Sequence, residues 1–178
     1  MLPEQYIEKY YPEDNALRRL LLRHSRSVAA KALRVARRHP ELGADVAFLR
    51  AAALIHDIGV FLTDAPGIHC HGTKPYLLHG YLGAQLMRQE GEEALARVCE
   101  RHTGTGLTPE AIRKQGLPLP PGDYRPETLE EQIVCYADKF FSKSHPERCR
   151  TVAQTAESLR KFGDDSVRTF LSWAARFE

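Results

Sequence analysis

The sequence has little cysteine, and none of it in the paired spacing of a metal or redox motif. The four cysteines are widely separated among 178 residues, which is not the pattern of a disulfide framework. We expect four reduced thiols in a cytoplasmic protein. No stretch approaches the roughly 18 apolar residues of a membrane span. The first residues also lack the basic start and apolar run of a signal peptide, so a membrane or secreted protein is not expected.

Other signals are absent as well. There is no phosphate-binding G-x-x-x-x-G-K-[ST] loop and no G-x-S-x-G nucleophile motif. The net charge is +2 with a pI near 8.4 and no long basic run, so the composition carries no strong signal for nucleic-acid binding. Apolar residues make up 43% of the chain, enough to predict one folded domain over residues 1–178.

Apolar residues at spacings of three and four predict helices along most of the chain, and no strand-like alternation of any length is present. The fold class predicted is therefore all-α. Two amphipathic segments near the end read as closing helices. The predicted helices cover residues 3–12, 13–39, 45–58, 78–90, 92–102, 108–114, 128–141, 147–161 and 164–177.

One apolar segment, Ala51-Ala-Ala-Leu-Ile-His-Asp-Ile-Gly59, contains two potential metal ligands. Asp45 is placed to cap the start of the helix that contains this segment, and Gly59 occupies the position of a C-cap glycine at its end. A buried carboxylate is costly unless it is paired or coordinated, and imidazole with carboxylate suits zinc, iron or manganese. A single His56-Asp57 pair is nevertheless more often structural, with Asp57 capping a helix or forming a salt bridge.

Several further ligand-type residues favour a metal site over a structural His-Asp pair, because each falls on the apolar face of its own predicted helix. One core histidine is usually satisfied by a hydrogen bond. Four histidines and two aspartates would be hard to satisfy in a dry core without a shared cation, to which each helix contributes one ligand set. The full set is His24, His56, Asp57, His79, His102 and Asp138.

This ordered set resembles the HD superfamily of metal-dependent phosphohydrolases, and His56-Asp-Ile-Gly59 is similar to its HDIG subgroup. The resemblance covers residues 20–142 and includes three further stretches. It implies a single HD-type helical bundle around a buried metal site, closed by helices over about 147–177. One departure is Val60, where many HDIG sequences have a lysine, so another cation must serve the substrate here or the substrate differs. The further stretches are Arg23-His-Ser-Arg-Ser-Val28, His79-Gly-Tyr-Leu-Gly-Ala84 and Tyr136-Ala-Asp-Lys139.

The resemblance also implies the roles of these residues. Asp57 would belong to a first metal site and bridge to a second one formed by His79 and His102. The presence of these two middle histidines favours two divalent transition-metal ions over one. Iron or manganese is favoured, while zinc, nickel, cobalt or magnesium also suits such ligands. The first site would be formed by His24, His56, Asp57 and Asp138.

The implied reaction is hydrolysis of a phosphoester or phosphoanhydride in a nucleotide or small phosphorylated metabolite by a metal-activated hydroxide. Asp57 or Asp138 would orient the hydroxide, and Lys139, next to Asp138, is the best candidate for binding substrate phosphate. Three alternatives stay open: a nucleoside-monophosphate phosphatase with one metal ion, a non-catalytic, metal-stabilised nucleotide-binding module, and a di-iron oxygenase of the same fold. Other cations near the site read more simply as solvated charges, namely Lys143, Arg23, Arg26 and Arg101.

Four remaining features have weaker interpretations. His69 and His71 lie in the long segment 59–78 and could bind a metal or substrate, although a solvated loop is the simpler reading. The turn Thr103-Gly-Thr-Gly106 could admit a phosphate to its backbone amides, but an ordinary turn is more common. His39 and His145 receive no role. The aromatic set of Phe170, Trp173 and Phe177 is core or the surface of a homodimer.

Overall fold

The structure is a computed structural model that describes residues 1–178, apart from the side chains of residues 146 and 147. Its helical architecture confirms the predicted fold class. Nine α-helices span most of the described chain, with short 3-10 turns between several of them. The helices are α1 (Pro3–Tyr10), α2 (Ala16–Arg38), α3 (Val46–Ile55), α4 (His79–Gln89), α5 (Glu93–Arg101), α6 (Pro109–Gln115), α7 (Leu129–Asp138), α8 (Val152–Leu159) and α9 (Asp164–Phe177).

Side-chain caps explain where the central helices begin. The Asp45 carboxylate accepts a hydrogen bond from the backbone nitrogen of Phe48 at 2.9 Å. Thr128 and Glu131 form a reciprocal capping box at the start of α7, which satisfies amide donors that have no partner inside the helix. The Asp45 cap was predicted and is confirmed, and Thr128-x-x-Glu131 carries the capping-box pattern in the sequence.

Helices α2, α3, α4, α5 and α7 pack around one hydrophobic core. The closing helix α9 covers α7, where the Phe170 and Phe177 rings lie 5.2 Å and 5.5 Å from the Tyr136 ring. Both phenylalanines and Trp173 are buried, so this aromatic set is core. The inner face of α2 is formed by Leu21, His24, Ser25, Val28, Ala29, Ala32, Val35 and Ala36.

Two small sheets correct the prediction that no strands are present. The segment expected to be irregular, 59–78, contains a three-stranded sheet in the order β2-β1-β3, and a hairpin follows α7. These strands have two to five residues, too few to produce a periodic pattern. The hairpin also delays the first closing helix, expected from 147, to Val152. The strands are β1 (Thr63–Ala65), β2 (Cys70–His71), β3 (Lys74–Pro75), β4 (Phe141–Ser142) and β5 (His145–Cys149).

Gly59 has a different role from the one predicted. Helix α3 ends at Ile55, and Gly59 adopts φ −86°, which is not the left-handed conformation of a C-cap glycine. A Cβ at this position would overlap the Gly83 nitrogen and the His79 carbonyl oxygen of α4. Glycine is therefore required because α4 approaches the backbone closely. The Tyr11 hydroxyl supports the same turn by donating a hydrogen bond to the Ile58 carbonyl at 2.8 Å.

The four cysteines are free thiols, as predicted, and three of them are buried. Within the described residues, none of the helices combines the length and apolar character needed to traverse a membrane.

Candidate metal centre

The fold brings all six predicted ligand residues to one buried place. Each is buried, and they come from five parts of the chain. His24 lies on the inner face of α2, and His56 and Asp57 occupy the turn after α3. The others lie at helix ends: His79 begins α4, His102 directly follows α5, and Asp138 ends α7.

The first group consists of two imidazoles facing two carboxylates. The His24 Nε2 lies 2.9 Å from Asp138 Oδ1 and 3.2 Å from Asp57 Oδ2. The His56 Nε2 lies 3.1 Å from Asp57 Oδ2 and 3.4 Å from Asp138 Oδ1. One ligand atom from each of these residues lies within 4.8 Å of the others. The four donors therefore converge on one small volume.

The second group shares Asp57 with the first but uses its other oxygen. Asp57 Oδ1 lies 3.4 Å from the Nε2 of His79 and 3.4 Å from the Nε2 of His102. The two Nε2 atoms are 3.0 Å apart. The Asp57 carboxylate thus stands between two sets of nitrogen donors, one at each oxygen.

Three imidazoles are held by backbone carbonyls on the side away from the cluster. The Nδ1 atoms of His56, His79 and His102 donate to carbonyl oxygens three residues earlier, at 2.8, 2.7 and 2.6 Å. A carbonyl can only accept, so the neutral ring directs the Nε2 lone pair inward. The facing lone pairs of His79 and His102 would repel each other without a cation between them.

The pKa values reflect a centre that attracts positive charge. Burial lowers the pKa of His56, but the Asp57 and Asp138 carboxylates raise it more, to about 9. Burial raises the pKa of Asp57, yet His56 and Lys143 hold it well below its usual range. Burial and the neighbouring imidazole lower the pKa of His79 to about 3. The carboxylates are thus ionised and His79 is neutral, as metal ligands must be, whereas the proton that the carboxylates hold on His56 is one that a bound metal ion would displace.

Buried polar atoms without hydrogen-bond partners also indicate that the cluster binds a cation. Among the described residues, the His56 Nε2 and Asp57 Oδ1 are buried and make no hydrogen bond of normal geometry, although imidazole nitrogens lie 3.4 Å from that oxygen. Leaving such atoms unsatisfied costs free energy. Ligands about 2.1 Å from a cation at right angles lie roughly 3 Å apart, close to the separations found here. The cluster fits a divalent metal site.

Two lysines contact the carboxylates of the cluster. The Lys143 Nζ lies 2.6 Å from Asp57 Oδ2. The Lys139 Nζ lies 2.7 Å from Asp138 Oδ2 and donates to the His102 carbonyl at 2.8 Å. Each ammonium therefore contacts one of the carboxylates of the first group, so both lysines belong to the site.

Comparison with known proteins decides the family. The HD domain family matches residues 21–142. This chain belongs to the HD domain family. Assignment to the HDIG subgroup stays a prediction from residues 56–59.

Several curated proteins are similar to this HD domain. A tRNA (cytidine(56)-2'-O)-methyltransferase of Thermoplasma volcanium is 34% identical over 144 residues, which cover 80% of this chain and 37% of the methyltransferase. The enzyme of the same name from Picrophilus torridus is 36% identical over 124 residues, covering 69% and 32%. An uncharacterized protein of Methanocaldococcus jannaschii is 43% identical over 98 residues, covering 54% and 50%. The chain spans about a third of the length of the two methyltransferases.

Solved structures share the fold. The HD domain of the Listeria monocytogenes phosphodiesterase PgpH superposes with a TM-score of 0.54 at 18% identity, covering 94% of this chain and 92% of that one. The same PgpH domain in complex with cyclic-di-AMP gives the same TM-score and identity over 96% of this chain. At this identity the likeness establishes the HD-domain architecture.

The position of Lys143 in this HD domain differs from the sequence expectation. The α7 pattern predicted a helix to about Phe141, with Lys143 one helical turn beyond Lys139. Instead α7 ends at Asp138, and Lys143 sits in the tight turn between β4 and β5. Pairing of Ser142 with His145 closes that turn, so a tertiary feature places the ammonium at the cluster.

An open cleft of about 490 Å³ adjoins the metal centre of the HD domain. Four cations line it: Lys139, Lys143, Arg150 and Lys161. Arg150 and Lys161 were not among the predicted site residues. Both lie beyond the matched HD segment, and no spacing in the sequence connects them with it.

The other sequence candidates lie outside the cluster. Arg23 and Arg26 are exposed on α2, and Arg101 pairs with Glu127 at 3.0 Å. His69 and His71 are exposed and contribute to neither ligand group among the described residues. The turn at 103–106 lines a second cleft, where Thr105 and Ser166 share a hydrogen bond of 2.9 Å.

Proposed function

We propose that this HD domain hydrolyses a phosphoester or phosphoanhydride bond in a nucleotide. The observation that carries the proposal is the shared position of Asp57. Its two oxygens face two sets of imidazole donors, beside a cleft lined by four cations. Buried ligands for two cations next to a cationic cleft suit phosphoester hydrolysis, because the reaction depends on positioning and charge neutralisation.

The ligand roles we propose follow the two groups. One divalent ion would be held by the Nε2 atoms of His24 and His56 with oxygens of Asp57 and Asp138. A second would be held by Asp57 with His79 and His102. Mixed nitrogen and oxygen ligands suit iron and manganese, which we favour, although the same ligands accept zinc, nickel or cobalt. The backbone carbonyls behind three of the histidines would hold each ring in its binding orientation.

In this proposal the bound ions supply a lowered pKa for water and charge neutralisation at phosphorus. The protein supplies the rest. Asp57 orients the attacking water, and Lys139 and Lys143 bind the phosphoryl oxygens, so that Lys143 provides the cation missing at Val60. The water oxygen bonds to phosphorus and loses a proton, the bond from phosphorus to the leaving oxygen breaks, and the leaving oxygen takes up a proton, so that one water molecule is added across the bond.

The substrate class proposed is a nucleotide, either free or at the end of an RNA strand. The cationic cleft favours a substrate with more than one phosphate charge. One structural neighbour was solved with cyclic-di-AMP. Two relatives that contain a similar segment are named tRNA methyltransferases, so RNA is included among the candidate substrates. Because this chain spans about a third of those enzymes, we do not extend methyl transfer to it.

The test is phosphate release from a panel of nucleoside di- and triphosphates, cyclic dinucleotides and 2′- and 3′-nucleotides, with Mn²⁺ or Fe²⁺. We expect turnover by the wild type and a loss of at least about 100-fold in Asp57→Asn, because that carboxylate serves both groups. Asp64→Asn removes an exposed carboxylate from β1 and is the matched control, expected to retain full activity.

Three parallel assays distinguish the alternatives. Oxygen uptake by the iron-loaded protein without phosphate release would favour the oxygenase. Methyl transfer from S-adenosylmethionine to tRNA would favour the activity named in the relatives. A ligand-dependent rise in melting temperature with no turnover of any substrate would favour a binding module. Each of these results would contradict the hydrolase proposal.

A further inference from the structure

The longest helix of the molecule is strongly basic, although the net charge of the whole chain is small. Helix α2 contains seven arginines, one lysine and no acidic residue. The complete chain has 25 basic and 23 acidic residues, so the remainder is net acidic. This concentration of one sign of charge on a single element produces a local positive potential, although the net charge of the protein is only +2.

Five of the arginines form one exposed row, which we call the arginine face. At 3.6 residues per turn these five positions fall within an arc of about 80°, and at 1.5 Å per residue the row is about 27 Å long. All five are exposed, and the row lies opposite the buried side of α2, which carries His24. The arginine face consists of Arg19, Arg23, Arg26, Arg34 and Arg37.

Few carboxylates compensate the arginine face. Asp14 pairs with Arg19 at 3.2 Å, between two exposed side chains. Glu4 pairs with Arg50, and Arg26 helps to lower the pKa of that carboxyl. The other three arginines of the face have no carboxylate oxygen within 4.0 Å among the described side chains. Guanidinium groups aligned without acidic partners repel one another, and they match the phosphate groups of a nucleic-acid backbone.

The arginine face leads into the metal centre. A cleft of about 340 Å³ is lined by Arg19 and Arg23 on the α2 side and by Lys143 and Ser144 on the hairpin side. The Lys143 Nζ lies 2.6 Å from an Asp57 oxygen. The same lysine and serine line the larger cationic cleft, so the two clefts adjoin. Positive charge therefore continues from the outer face of α2 to the proposed ligands.

We propose that the arginine face binds the phosphate backbone of a single-stranded RNA, with the end of the strand lying in the cleft over Lys143. A flat membrane could contact the arginine face but could not follow the cleft inward, and a duplex is too wide to enter it. A single strand can contact the arginine face and also enter the cleft. The reaction at the end of the strand rests on the proposed function, whereas binding along α2 does not.

The test measures binding of a fluorescein-labelled 12-nucleotide oligouridine by anisotropy at increasing KCl. Release of counterions from a single strand gives a slope of about −0.7 per neutralised phosphate in log K against log salt. We expect a wild-type slope between about −2 and −3.5, for three to five contacts. In Arg23→Gln/Arg34→Gln/Arg37→Gln the slope should become shallower by about 2, with affinity at low salt at least tenfold weaker.

Two matched variants separate a binding surface from a general charge effect. Arg113→Gln/Lys114→Gln/Arg168→Gln removes three exposed cations from other helices and should change affinity by less than twofold. Replacing the three α2 arginines by lysine keeps the charge and should keep most of the binding, which also shows that the face tolerates substitution. Equal weakening in the control variant, or wild-type binding without salt dependence, would overturn the proposal.

The end of the strand is tested separately. Oligouridine with a terminal phosphate should bind more tightly than the same strand with terminal hydroxyls, and Lys143→Gln should remove that preference. Stronger binding of phosphatidylserine vesicles than of RNA would assign the arginine face to membranes and overturn the inference. A wild type that hydrolyses nucleotides without binding RNA would refute this inference alone. RNA binding without phosphate release would refute only the proposed function.

Discussion

Asp57 is a buried carboxylate whose two oxygens face imidazole nitrogens and the Lys143 ammonium. Its side chain is fully buried, and a buried carboxylate is tolerated only where cations or strong donors surround it. Helix α3 provides a rigid apolar support, while His56 and Lys143 lower the pKa of the carboxyl. The isolated His-Asp pair was weak evidence in the sequence. The structure brings four more ligand-type residues to it, which makes a purely structural role for Asp57 hard to maintain.

Gly59 leads to a prediction about a single substitution. A Cβ at this position would overlap backbone atoms of Gly83 and His79, and backbone cannot move aside as a flexible side chain can. We expect Gly59→Ala to lower the free energy of unfolding by about 1–3 kcal/mol, the usual cost of overpacking, and to weaken metal binding by displacing His79. Urea denaturation and metal titration measure the two effects.

Gly67→Ala is the matched control for that substitution. A Cβ on Gly67 meets nothing within 4 Å, and its φ is not in the positive range. The free energy of unfolding should therefore change by less than about 0.5 kcal/mol. If Gly59→Ala behaves like this control, the close approach of α4 is not what requires glycine at this position.

Helices were the elements that sequence could predict, because each buries a continuous apolar stripe. The stripe of α2 already contained His24, and the capping box of α7 marked the start of the helix that ends at Asp138. Short strands lack such a pattern, so the sheets were missed. Lys143, Arg150 and Lys161 were misplaced or missed for a related reason: a hairpin and the closing helices bring them to the site through contacts distant in sequence.

Helices α4 and α5 supply the second ligand group, which leads to a prediction about metal content. We expect close to two equivalents of metal in the wild type and about one in His79→Ala/His102→Ala, because the first group does not include these residues. Elemental analysis after reconstitution with Mn²⁺ gives the count. His69→Ala/His71→Ala removes two exposed histidines and should keep two equivalents. Loss of metal in that control would place a ligand pair in the 59–78 segment instead.

At the scale of the whole molecule, five parts of the chain meet at this centre of buried charge. Ligands from α2, the turn after α3, α4, the end of α5 and α7 are distant in sequence, so they come together only in the folded protein. Any cation bound there is linked to folding, since the unfolded chain has no comparable site. The arginine face and the metal centre lie on opposite sides of one helix, so α2 connects the proposed RNA surface with the proposed reaction.

Metal removal should therefore lower the thermal stability of the entire domain. An ion present at 100 times its Kd stabilises the folded state by about 2.7 kcal/mol. For a chain of 178 residues this corresponds to roughly 5–10 °C in Tm, at 2–4 °C per kcal/mol. We expect EDTA followed by desalting to lower Tm by that amount, Mn²⁺ to restore it, and Ca²⁺, which prefers all-oxygen ligands, to restore much less. In Asp57→Asn the Mn²⁺-dependent rise should largely vanish. A wild-type Tm that is the same with EDTA and with Mn²⁺ would mean that the six buried residues form a hydrogen-bonded core and not a metal centre.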